Sequence, residues 1–87
     1  MNVKISYARV AVGWDITIDV TTDKDETITH VKTCINDFTE DDIGVNPPAK
    51  GWQTTLRQKG EYPADNNVLV TVTDGGGTQT NWVSRWS

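Results

Sequence analysis

Apolar and polar residues alternate with a period of two over most of this chain. The longest case runs from Asn67 to Trp86. There Val68, Val70 and Val72 alternate with Leu69, Thr71 and Thr73, Asp74 and Gly75-Gly76-Gly77 turn the chain, and a second alternating run begins at Thr78. β-Branched residues at period two on both sides of a Gly-rich turn predict a β-hairpin with one buried face. The glycines are expected to supply positive φ angles in that turn. No GK[ST] sequence follows them, so they do not form a phosphate cradle.

The same pattern recurs upstream. Val3, Ile5 and Tyr7 form one apolar parity, which changes near Ala8–Arg9 to Val10 and Val12. A phase change inside a strand predicts a bulge or a strand shared by two sheets. Trp14, Ile16, Ile18 and Val20 face one way, with Asp15, Thr17, Asp19 and Thr21 opposite. A third strand is predicted over Thr27–Asn36, with Val31, Thr33 and Ile35 inward and His30, Lys32 and Cys34 outward. Ile28, out of phase, is expected to plug the end of the core. Trp52, Thr54 and Leu56 mark a fourth. Between the third and fourth lies Asp37–Gly51, predicted as the longest irregular segment. Thr39 and Asp42 could cap a single helical turn ended by Gly44, and Pro47-Pro48 argue against a regular central strand. Gly60–Asn66 reads as a loop. Short strands at even spacing, with no helical period, predict an all-β antiparallel sandwich of about six to seven strands in a single domain over residues 1–87.

The chain is short for a single core, at 87 residues with 36% hydrophobic residues, so four tryptophans matter to it. Trp14, Trp52 and Trp82 lie on inward parities, and Trp86, near the end, is expected to stay partly exposed. A net charge of −4 without a basic stripe argues against a nucleic-acid partner. No stretch approaches the roughly 20 apolar residues of a membrane span. The first residues lack the apolar run of a signal peptide, so a soluble chain is expected.

Candidate chemistry is sparse. His30 and Cys34 are four residues apart on one strand, roughly 13 Å, whereas a nucleophile and its base need about 3 Å. With a single histidine and a single cysteine, no other dyad exists, so no catalytic residues and no cofactor are expected. Candidate partner-binding residues are the acidic run Glu40, Asp41 and Asp42, the aromatics Phe38 and Tyr62 in predicted loops, and Trp52.

The Trp14–Thr22 strand, the Ile28–Asp37 strand (ITHVKTCIND) and Val68–Gly75 (VLVTVTDG) with its following edge strand together resemble immunoglobulin-like, fibronectin III-like domains of the disulfide-free type found in bacterial and bacteriophage surface proteins. The inter-sheet cysteine pair of antibody domains is absent, and Tyr62 lies upstream of the tyrosine-corner position. The resemblance implies an extracellular, cell-surface or virion location. It also implies that the Asp23-Lys24-Asp25-Glu26 turn meets the last hairpin, where Asp23, Asp25 and Asp74 are candidate Ca²⁺ ligands. Such folds host many activities. The expected function is non-catalytic binding of another protein or a glycan through loops 37–51 and 60–66, with oligomerisation possible. Alternatives are a bacteriophage virion component or a small acidic enzyme inhibitor.

Overall fold

The computed structural model describes residues 1–11, 13–58 and 66–86. Among these residues seven strands form two antiparallel sheets packed as an all-β sandwich. One sheet has the order β1-β2-β5, from β1 (Asn2–Arg9), β2 (Trp14–Thr21) and β5 (Gly51–Gln58). The other has the order β4-β3-β6-β7, from β3 (Ile28–Ile35), β4 (Phe38–Ala49), β6 (Asn66–Asp74) and β7 (Gln79–Trp86). The three strands with neighbours on both sides supply most of the core, and Trp86 of the edge strand β7 completes it. Ile16, Ile18 and Val20 of β2, Val31, Thr33 and Ile35 of β3, and Val68, Val70 and Val72 of β6 are buried, as their alternation predicts, and the out-of-phase Ile28 of β3 is buried with them.

Two breaks in alternation have local causes. β1 does not pass between sheets. It pairs with β2 without a register shift up to Arg9↔Trp14, and the Val10 N–H then donates to the Gly13 carbonyl at 3.2 Å. The change of parity marks a tight turn, with Gly13 at φ 100°. Ile28 keeps its inward position through a bulge, since Ile28 pairs with Asp74 but His30 pairs with Thr73. The Thr29 hydroxyl donates to the carbonyls of Thr73 and Asp74, which holds the extra residue in place.

The largest departure is at residues 37–51, which are not an irregular loop. Asn36 and Asp37 both take positive φ, 49° and 71°, the requirement of a two-residue hairpin turn. The chain then runs back along β3 as β4, and no helical turn forms over Thr39–Gly44. Pro47 and Pro48 are compatible with strand structure because β4 is an edge, where a missing N–H breaks no ladder bond. The Asn46–Pro47 peptide is cis. Between the pairs Ile28↔Ala49 and His30↔Gly44, residues 45–48 stand opposite Thr29 alone, so the prolines lie in an excursion from the ladder.

Trp86 also corrects the expectation. It is the most buried of the four tryptophans at 9% exposure, whereas Trp14, Trp52 and Trp82 are half-buried against the core. Its ring stacks on Tyr7 of the opposite sheet, with centroids 4.7 Å apart, and the Tyr7 hydroxyl contacts Ser84 Oγ. β7 is therefore sewn to β1 at this end of the sandwich.

Candidate functional site

The acidic candidates and Phe38 lie on β4. Its inward parity places Phe38 opposite Ile35 and Ile43 opposite Val31. Their β3 partners are covered by the other sheet, but β4 overhangs it: Phe38 is 72% exposed and Ile43 41%. Phe38 is thus the first residue of a strand, directly after the Asn36-Asp37 turn, and not a loop residue. The turn is itself anchored. Asn36 Nδ2 donates to Asn66 Oδ1 (3.1 Å), and Asn36 Oδ1 accepts from the Asn67 N–H (2.9 Å).

The three acids of β4 have different surroundings. Glu40 is the extra residue of a bulge, since Thr33 pairs with Asp41 and Cys34 with Thr39. The Asp41 N–H, displaced from the backbone ladder, donates to Oγ1 of the buried Thr33 at 3.1 Å, and that hydroxyl lies 3.3 Å from Asp41 Oδ2. Asp41 therefore fastens the edge strand to the core. Asp42 contacts His30 Nε2 through Oδ1 at 2.5 Å. Glu40 and Asp42 are exposed.

The other candidates do not join this surface. Trp52 pairs with Val20 on β5, at the end of the sandwich where β4 finishes, and packs against the core. Phe38 lies at the opposite end. Tyr62 and most of the 60–66 segment fall outside the described residues; Asn66 is buried at the start of β6. Ile43 was missed from sequence, although the alternation Asp41-Ile43-Val45 after an Asn-Asp turn was available to find it.

At the far end, the expected approach of the Asp23–Glu26 turn to the last hairpin does occur. Asp25, Glu26, Thr27, Asp74, Gly75 and Gly76 line one open cleft, and the Gly75 N–H donates to the Thr27 carbonyl at 3.0 Å. The carboxylates there have local partners. Asp74 Oδ1 accepts from the N–H groups of Gly76 and Thr78, both at 2.9 Å, and so shapes its own turn. Asp23 Oδ2 lies 2.6 Å from the Met1 amino group, which holds this carboxyl below its usual range. Among the described residues, no group of three acidic, histidine or cysteine side chains is arranged to hold a metal ion.

His30 and Cys34 point outward from β3 as predicted; His30 meets Asp42, and Cys34 Sγ lies 3.7 Å from Thr39 Oγ1. On the outer face of the other sheet, Arg57 grips both oxygens of Asp15 at 2.8 and 3.1 Å, which lowers that carboxyl's pKa and ties β5 to β2. Comparison with protein-family models, with curated proteins and with solved structures finds no match to this chain.

Proposed function

We propose that the chain is a non-catalytic, immunoglobulin-like binding module that engages a basic protein partner along β4. The observation that carries this reading is Phe38, a large apolar side chain left 72% exposed where β4 overhangs the other sheet, with Ile43 on the same face of the same edge. Isolated exposed apolar residues need no explanation, but an aromatic and an aliphatic aligned on one strand edge form a candidate anchor. Glu40, in the bulge between them, favours a cationic partner and acts chiefly on the rate of encounter, while Asp42 lies on the other face of β4 against His30. The strand orders β1-β2-β5 and β4-β3-β6-β7 support the immunoglobulin-like reading, because β3 crosses to the second sheet and β5 returns to the first.

The test is capture of partners from the source cell on immobilised protein, followed by affinity measurement with the captured protein. Phe38→Ala is expected to weaken binding about tenfold or more, as loss of a central aromatic does. Glu40→Gln is expected to slow association and flatten its salt dependence. Binding unchanged by both Phe38→Ala and Ile43→Ser would remove β4 from consideration, and retention of a sugar on a glycan array by the same surface would replace the protein partner with a carbohydrate.

A further inference from the structure

The two edges of the four-stranded sheet are finished differently. β4 carries Pro47, Pro48, register shifts on its ladder and the acids Glu40, Asp41 and Asp42. Prolines, bulges and charges are the devices that stop an edge from pairing with another chain. β7 has almost none of them. Its sequence QTNWVSRW holds no proline, glycine, lysine or carboxylate, and it pairs with β6 without a register shift from Gln79 to Trp86.

The polarity of the free edge follows from the hairpin. Asp74 N–H to Thr78 O closes the first ladder pair, so bonded pairs recur at Val72↔Thr80, Val70↔Trp82, Val68↔Ser84 and Asn66↔Trp86. Thr80, Trp82, Ser84 and Trp86 spend their backbone groups on β6. Gln79, Asn81, Val83 and Arg85 direct their N–H and C=O groups to the open side. Val83 is also 60% exposed.

We propose that β7 pairs with β7 of a second copy of this chain, antiparallel about a two-fold axis at Trp82, joining two four-stranded sheets into one. The edge is self-complementary in this register. Asn81 meets Val83 and Gln79 meets Arg85 of the other copy, so every outward backbone group finds a partner, about eight hydrogen bonds in all. Arg85 never faces its own copy. The half-buried Trp82 does, at a non-bonded position where cross-strand side chains approach most closely and aromatic pairs add stability. The chain has a net charge of −4, and an edge strand without carboxylates is where two copies meet with least repulsion. A head-to-tail alternative, β7 against β4 of the next copy, is opposed by the prolines and by the bulge at Glu40.

Sedimentation equilibrium over a wide concentration series into the hundreds of micromolar tests the proposal, with hydrogen exchange followed at the same concentrations. The expected result is a monomer–dimer equilibrium in which the amides of Asn81 and Val83 gain protection as dimer forms. Val83→Pro removes an outward N–H that β6 does not use and is expected to abolish the dimer. Val83→Lys, which leaves the backbone intact and sets two cations near the axis, is expected to do the same. A monomer at every concentration, a dimer that survives both substitutions, or an open-ended series of larger species would each overturn it. The β4 surface lies on the opposite edge, so both variants should still capture the β4 partner, and failure of either idea can be told from failure of the other.

Discussion

Thr27 Oγ1 lies 2.5 Å from where a Cβ on Gly75 would sit. No side chain fits that gap unless the hydroxyl moves, and Gly75 is further held by its N–H bond to the Thr27 carbonyl. The backbone at Gly75 is not left-handed; within the triplet only Gly77 has positive φ, at 84°. Gly75→Ala is therefore expected to cost about 1–2 kcal/mol by overpacking. In a Thr27→Ala background the nearest remaining side-chain atom is Cβ at 3.9 Å, so the same change should become neutral or gain about 0.5 kcal/mol through a less flexible unfolded chain. Urea denaturation of the four proteins of this cycle measures the coupling; equal costs in both backgrounds would mean that Thr27 is not what demands glycine. Turn chemistry in the sequence accounts for Gly77 but not for Gly75, whose constraint comes from a loop distant along the chain. Trp86 is a similar case. Its parity was readable, but its stack on Tyr7 depends on which strand lies across from it.

At the scale of elements, alternation identified every strand with a buried face and missed β4. A central strand reveals itself by apolar alternation; β4, an edge, buries little, so its sequence is acidic and contains two prolines. The legible signal was the Asn36-Asp37 turn, which requires a strand to follow it closely. Besides its ladder with β3, this weakly buried strand is fastened by Thr33, fully buried, whose hydroxyl takes the Asp41 N–H that the Glu40 bulge displaces from the ladder. Thr33→Val keeps the shape and removes the acceptor. It is expected to cost about 1–3 kcal/mol, the desolvation penalty of an orphaned donor, reduced if water reaches Asp41. Hydrogen exchange localises the effect: the Asp41 amide should lose protection while those of Lys32, which faces β6, and Val70, which faces β7, keep theirs. Uniform loss across β3 and β6 would instead assign Thr33 to the core as a whole.

The whole molecule is asymmetric about its core. On the side of β4 and β5 the sheets stand partly open, with Phe38 and Ile43 overhanging; on the side of β1 and β7 they are closed by Tyr7 against Trp86 and Ser84. A domain of this size has about 5–15 kcal/mol of net stability, and truncating a buried aromatic removes about 3–5 kcal/mol. Trp86→Ala should therefore consume a large part of the stability of the entire sandwich, while Trp82→Ala, at a half-buried position on the same strand, should cost distinctly less. Trp86→Phe preserves a ring for Tyr7 to stack on and should recover much of the loss. Guanidinium unfolding of the three variants gives the order. If Trp82→Ala proved the more damaging, the sheets would be held together nearer the middle of β7 than at its end. That result would also bear on dimerisation, because Trp82 could not then both support the monomer's core and remain open to its own copy across the two-fold axis.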